Sequence, residues 1–387
     1  MNLAHKIRLE PKPAQVQALC KAVGCARFAY NWGLDQWNKQ YAQGLKPSTF
    51  KLKKQFNEIK EELYPWIYDS PKDANQQAFA NLGTAFSRFF KKQSKYPKFK
   101  KKFEHDSFYI SNDKFYVTSS YVKLPVIGRV KLSEKLRFDG KIVGAVVSRK
   151  SDKWFISINV DIENPTKERV SDNIVGVDLG VKTFATLSNE EKFDAPKPLK
   201  KNLKKIKRQN RSVSRKVLGS KNRKKAIVKL SRTYYKTANI RKDFLDKLST
   251  KLCRENQTIV IEDLNVTGML KNHCLARAIA DLGWSEFRRQ LEYKSKIYGC
   301  KIVVADRFFP SSKLCPCCGH IKENLTLADR VFKCDCCGFE MDRDIKAAKL
   351  LAVLGTASPE ITPEDMRALI YSSVIGINET VVSESGI

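Results

Sequence analysis

The chain has 387 residues, enough for two or three domains that each bury a core. Lysine and arginine total 72 against 41 acidic residues, and this net charge of +31 exceeds what solubility needs and implies a polyanionic partner. No signal peptide, spanning apolar run or lipidation motif is present, which argues against a membrane partner and for nucleic acid.

Residues 3–10 alternate (Leu3, His5, Ile7, Leu9) and predict a strand. From Pro13 to about Gln43 the apolar positions Val16, Leu19, Val23, Tyr30, Leu34, Trp37 and Tyr41 follow helical spacing. Further helices are predicted over 47–63 and from Pro71 to Lys92, and the basic turn YPKFKKKF at 96–103 closes this helical block. Between 106 and 162 the β-branched and aromatic content rises, in FYISNDKFYV, GRVKL, IVGAVVSRK and KWFISINVDI. These segments predict a small β-barrel with the helical block inserted after its first strand.

Asn164-Pro165 reads as a boundary. Beyond it come a strand at Ile174–Gly180 and two antiparallel partners, Thr183–Ser188 and Glu191–Asp194. Residues 196–255 read as helical, with Leu199, Leu203, Ile206, Val213 and Val217 on one face. No acid occurs from Ala195 to Lys242. A solvated helix normally mixes its charges, so this face is expected to track phosphates. Strands at Thr258–Asp263 and Lys301–Ala305 flank a helix near 284–298, a last helix starts at Asp344, and the tail after Gly355 reads as loosely ordered.

Eleven cysteines without a secretion signal point to reduced thiols and metal. Cys315 and Cys318, then Cys334 and Cys337, form two CxxC knuckles separated by 15 residues, each followed by glycine. Four thiolates at this spacing close a tetrahedral shell, so one structural Zn²⁺ is expected. Cys317 and Cys336 sit inside the knuckles, where they could compete as ligands. Cys20, Cys25 and Cys253 read as small buried hydrophobes.

Three carboxylates stand at element ends. Asp178 ends an apolar strand in IVGVDLG, Glu262 ends Ile259-Val260-Ile261, and Asp344 lies in the first turn of the last helix. Each alone reads as a cap or turn residue. Hard oxygen ligands on rigid strand ends are also what two Mg²⁺ ions require, spaced roughly 4 Å apart. The order strand-Asp, hairpin, long helices, strand-Glu, helix, strand, helix-Asp is that of an RNase H-like fold of RuvC type. With the basic charge, it points to an enzyme that cuts nucleic acid. Lys98, Lys100, Lys101 and Lys102, with Lys200, Lys201, Lys204 and Lys205, are the candidate phosphate contacts. Tyr30, Trp32 and Trp37 near Arg27 are placed for base stacking or for core packing, and helical spacing favours the core.

NWGLDQW, GVDLGVKTFATLS, IVIEDLNV, RFFPSSK and CGFEMDRDIKAAK together make the chain resemble the TnpB (OrfB) family of transposon-encoded nucleases, related to type V CRISPR effectors. The resemblance spans nearly the whole chain. It implies an α/β multidomain protein. Residues 1–10 and 104–165 would form a β-barrel wedge domain, with 11–103 as its helical recognition insertion. Residues 166–310 and 339–355 would form a RuvC-like nuclease domain, 311–338 an inserted zinc ribbon and 356–387 a loose tail. It also implies Asp178, Glu262 and Asp344 as the magnesium-binding catalytic triad, a transposon-derived guide RNA and double-stranded target DNA as partners, and a prokaryotic cytoplasm, at the nucleoid when DNA-bound. Alternatives are a nuclease-inactive RNA-guided DNA-binding regulator, a transposase accessory protein and a strand-exchanging transposase. Asp342 is a weaker placement for the third acid. One departure stands out: where the family usually carries Asn two residues after the last Asp, this chain has Lys346, a cation expected near the metal ions.

Overall fold

The computed structural model describes residues 1–163, 171–326 and 329–356. The expected tail lies almost wholly outside the described residues. The chain divides into two compact units, Met1–Asn164 and Pro165–Ile387.

In the first unit, β1 (Asn2–Glu10) leads into α1 (Pro13–Ala42), α2 (Thr49–Leu63) and α3 (Lys72–Phe90). Then come β2 (Ser107–Ser111), β3 (Tyr116–Val117), β4 (Tyr121–Leu124), β5 (Gly128–Leu132), β6 (Lys141–Lys150) and β7 (Lys153–Asp161). Among the described residues these form one antiparallel seven-stranded sheet, ordered β2-β6-β7-β1-β5-β4-β3. The inner face carries Ile7, Leu9, Ile110, Val122, Val130, Val147, Ile156 and Ile158 in a single core.

Helix α1 serves two cores. Leu19, Ala22 and Val23 pack with the sheet, whereas Cys25, Ala29, Tyr30 and Leu34 pack with α2 and α3. Trp37 stacks on Phe86 at 3.9 Å and Trp32 lies 5.0 Å from Phe56, so these aromatics are core residues.

The second unit begins with β8 (Ile174–Asp178), β9 (Ala185–Leu187) and β10 (Lys192–Phe193). Helices α4 (Pro198–Ser214) and α5 (Lys221–Glu255) precede β11 (Thr258–Glu262). Then follow α6 (Val266–Met269), α7 (Ala276–Leu282), α8 (Trp284–Tyr298), β12 (Lys301–Ala305), β13 (Val331–Lys333), β14 (Glu340–Asp342) and α9 (Arg343–Thr356). The sheet order is β10-β9-β8-β11-β12, with β8, β11 and β12 parallel and the β9 and β10 ladders antiparallel.

Alternation sorts the two faces of this sheet. Val175, Val177, Ile259 and Ile261 pack with Leu245, Leu252, Phe287 and Leu291 of α5 and α8. Ile174 and Val260 pack with Leu351 and Leu354 of α9. Both faces are covered, which is why the strands read as continuous apolar runs. The long helical stretch expected over 196–255 is broken between Arg215 and Ser220, so the apolar stripe ends before Val217. Ile206 is buried, but Val217 in the break is 78% exposed.

Candidate metal centres and basic surface

Parallel pairing of Val177 with Ile261 brings Asp178 and Glu262 to adjacent strand ends. By alternation both share the face of Gly176 and Val260, the face on which α9 lies. Gly176 sets the distance of that helix. A Cβ there would stand 2.0 Å from the Ala348 carbonyl oxygen and 2.5 Å from the Ala352 nitrogen. Only a residue without a side chain lets α9 lie so close, and this approach carries Asp344 toward the strand ends.

The three carboxylates do not all come within 4.8 Å of one another, as the four cysteine sulfurs described below do, but they are near enough to act on Asp178. Burial, then the Glu262 and Asp344 carboxylates, push its carboxyl well above the usual carboxylate range. Glu262 accepts a hydrogen bond from Ser311 Oγ at 2.6 Å. Asp344 is partly exposed and pairs with Arg330 Nη1 at 3.9 Å.

The neighbouring acids are engaged elsewhere. Asp263 pairs with Arg288 Nη1 at 2.7 Å and with Arg307, and these hydrogen bonds hold its carboxyl below the usual range. Asp342 accepts from the main-chain N–H groups of Asp344 and Ile345 and from Lys192 Nζ. Against its partial burial, these bonds hold Asp342 below the usual range. RFFPSSK holds Arg307 and Ser311, yet neither they nor Arg288 stand out in the sequence as site residues, because loop and helix positions carry no periodic signal for what they face. Glu262, Asn265, Arg288 and Arg307 line a cavity of about 270 Å³ beside the acids.

Lys346 does not face the acids. It is fully buried, and its Nζ donates to the carbonyls of Ser311 (3.1 Å), Ser312 (3.0 Å) and Leu314 (2.6 Å). Positions two apart on a helix diverge by about 200°, so a residue two beyond Asp344 points away from it. The expectation of a cation at the metal ions is therefore corrected. Burial pushes its pKa down to about 7.

The Sγ atoms of Cys315, Cys318, Cys334 and Cys337 all lie within 4.8 Å of one another. Among the described residues they form the one such group of His, Cys, Asp or Glu ligands. Cys317 and Cys336 stand outside it and are exposed. The glycines after each knuckle, Gly319 and Gly338, adopt φ of 70° and 73°, the left-handed turn that a side chain disfavours. Hydrogen bonding, first from the Phe339 N–H, lowers the Cys337 thiol to about 7, whereas burial pushes Cys315 up to about 11. Four crowded thiols that compete for protons fit a tetrathiolate zinc site. The hairpin β13–β14 flanks the second knuckle, from Val331 to Asp342.

Lys200, Lys201, Lys204 and Lys205 are exposed on α4. The main-chain N–H groups of Leu199 and Lys200 are capped by the buried Asp281 carboxylate at 3.0 and 2.9 Å. Farther along, Lys204, Lys207, Arg208, Arg211, Arg215 and Lys216 line an open groove of about 660 Å³. Lys98, Lys101 and Lys102 are exposed. Lys100 is exposed too, but its ammonium lies 4.0 Å over the Tyr30 ring, its main chain is paired with Asn31, and desolvation lowers its pKa. It braces the helical block.

Comparison with known proteins adds three family matches. The OrfB (IS605) family, described as a probable transposase, matches residues 157–273. A Cas12f1-like TNB domain matches 284–351, and a helix-turn-helix domain matches 1–46. In the last span the structure has β1 and the single long helix α1. A Streptomyces pristinaespiralis protein named "Putative RNA-guided DNA endonuclease" is 37% identical over 92% of this chain and 90% of its own. An Escherichia coli (strain K12) protein of the same name, InsQ, is 32% identical over 92% of each. Among solved structures, the chain in the cryo-EM structure of a Cas12f1–sgRNA–target DNA complex aligns with a TM-score of 0.54 at 15% identity, over 90% of this chain and 83% of that one, a likeness of fold.

Proposed function

The chain belongs to the TnpB (OrfB) family, related to type V CRISPR effectors, and from that premise we propose that it is an RNA-guided DNA endonuclease. Its partners are then a transposon-derived guide RNA and double-stranded target DNA, and it works in a prokaryotic cytoplasm, at the nucleoid when bound. In this reading the second unit is a RuvC-like nuclease domain with an inserted zinc ribbon. The first unit is a wedge domain with a helical recognition insertion.

One observation carries the catalytic assignment. Burial, together with the Glu262 and Asp344 carboxylates, pushes the Asp178 carboxyl well above the usual carboxylate range, and this supports reading the three acids as one site. Such repulsion costs stability in the metal-free protein and is relieved when cations bind. Two Mg²⁺ ions held there would supply a nucleophile from water and neutralise charge on the phosphodiester. The acids would hold the ions, with Ser311 orienting Glu262. Arg288 and Arg307, fixed by Asp263, present positive charge to a phosphate in the adjoining cavity. The retention of all three acids favours an active enzyme over a binding-only regulator.

The test is cleavage of DNA matched to the RNA that copurifies with the protein, in Mg²⁺, with Asp178→Ala alongside. A defined transcript and cleavage lost in the variant are expected. Random copurifying RNA with no directed cleavage would overturn guidance, and full cleavage by Asp178→Ala would overturn the site.

A further inference from the structure

The Nζ of Lys346 donates to three carbonyls, those of Ser311, Ser312 and Leu314. The fourth carbonyl of this turn, on Lys313, accepts the Lys322 N–H. The turn itself is closed by the N–H groups of Lys313 and Leu314 donating to Pro310. Every carbonyl from 311 to 314 is thereby partnered, three of them by one side chain.

The turn has two ends that matter. At one, Ser311 is buried and its hydroxyl donates to Glu262 Oε1 at 2.6 Å. At the other, Leu314 is followed directly by Cys315, a zinc ligand by spacing and geometry. The Lys346 ammonium also lies 3.9 Å over the ring of Phe332, which packs with Cys315 and Cys334 in the ribbon core. A zinc tetrathiolate carries net negative charge, so a folded, loaded ribbon favours a cation at this position. One buried side chain therefore touches both the ribbon core and the turn that holds Glu262.

We propose that Lys346 and Ser311 form a positioning relay that holds the Glu262 carboxylate for divalent-metal binding and makes its order depend on the folded zinc ribbon. The proposal rests on Glu262 being a ligand of the magnesium site. Neither residue touches the reacting atoms. Lys346 shapes the turn, and Ser311 fixes one oxygen of Glu262. Outer-shell partners of this kind typically contribute about 10- to 100-fold in metal affinity.

The test is Mn²⁺ affinity, measured by electron paramagnetic resonance on the full chain without nucleic acid, with zinc content and thermal unfolding recorded for each variant. Ser311→Ala is expected to weaken Mn²⁺ binding by about 10-fold or more, and Ser311→Thr, which keeps the hydroxyl, to restore it. Lys346→Met should weaken it comparably, and the double variant should be no worse than the weaker single, because the two act in one chain of contacts. A Cys337→Ser protein that has lost its zinc should also bind Mn²⁺ more weakly. Should Lys346→Met fail to fold, Lys346→Gln, which keeps a donor, takes its place in the cycle. Wild-type affinity in Ser311→Ala while Glu262→Gln loses binding would overturn the relay and leave the ligand assignment standing. Additive losses in the double variant, or unchanged affinity in zinc-free Cys337→Ser, would also overturn it. Unchanged affinity in Glu262→Gln would remove the ligand assignment and the relay with it.

Discussion

Asp342 accepts the main-chain N–H of Asp344 at 2.9 Å, so the two acids of one Met-Asp-Arg-Asp run have separate work. The first caps α9, also taking the Ile345 N–H and an ion pair from Lys192. The second keeps its carboxylate clear of the cap. A helix start leaves unsatisfied N–H groups that an acid satisfies well. Once Asp342 does this, Asp344 is available as a ligand.

Asp344→Ala, like Asp178→Ala and Glu262→Ala, is therefore expected to abolish cleavage while leaving RNA and DNA binding largely intact. Asp342→Ala should lose about 1 kcal/mol of stability as a missing cap yet retain more activity than Asp344→Ala. Cleavage assays in Mg²⁺ beside filter binding decide this, and the reverse ranking would move the third ligand to Asp342.

Asp178 gives a pH prediction. Its folded-state carboxyl is raised by burial and by Glu262 and Asp344, so the folded metal-free protein binds more protons than the unfolded chain. Stability then falls as pH rises from the unfolded value, about 3.9, toward the raised folded one. Asp178→Asn should therefore raise the Tm of the metal-free protein at neutral pH, and the gain should shrink in acid. Added Mg²⁺ should stabilise the wild type and not the variant. A variant less stable than wild type without Mg²⁺ would show that the acids do not repel as described.

About one equivalent of zinc should copurify. Single Cys→Ser changes at 315, 318, 334 or 337 should lose it, whereas Cys317→Ser and Cys336→Ser should keep it. Metal analysis of freshly purified, chelator-free protein is the check, and zinc lost only from the latter pair would reassign the ligands.

Neutralising Lys200, Lys201, Lys204 and Lys205 together should weaken nucleic-acid binding across all sequences. Each lost phosphate contact should lower the slope of log affinity against log salt by roughly 0.7 to 0.9. Neutralising Lys204, Arg208, Arg211 and Arg215, which line the groove, should lower it more. An unchanged slope in both would make α4 a merely solvated face.

Gly176→Ala should cost about 1–3 kcal/mol, because its Cβ would stand against the Ala348 main chain. Thermal unfolding at wild-type temperature would contradict the close packing of α9 on β8.

What the sequence made legible follows from local rules. The spacing of Cys315, Cys318, Cys334 and Cys337 is a direct readout of knuckle geometry. Trp32 and Trp37 obeyed helical periodicity and lie with the core. Asp178 and Glu262 were visible because each ends an apolar run. Ser311 was not, since only the tertiary path of the loop brings it to Glu262. Motif analogy puts Lys346 beside the metals, whereas the angular step of a helix turns it to the ribbon. Lys100 carried the same charge as its neighbours, and nothing local distinguished the lysine that lies on Tyr30. Val217 fitted an apolar stripe that a break in the helix interrupts.

Parallel pairing of β8 with β11 also sets an order of assembly. The whole α4–α5 hairpin must be made before Asp178 finds Glu262, and the ribbon must be made before α9 brings Asp344. Local helices form early, whereas contacts between distant segments wait for loop closure. The basic helices therefore exist on the growing chain before the third acid has been synthesised. In the proposed reading, a chain that ends short of α9 would bind its polyanion yet lack the third ligand, so chain order alone would guard against premature scission.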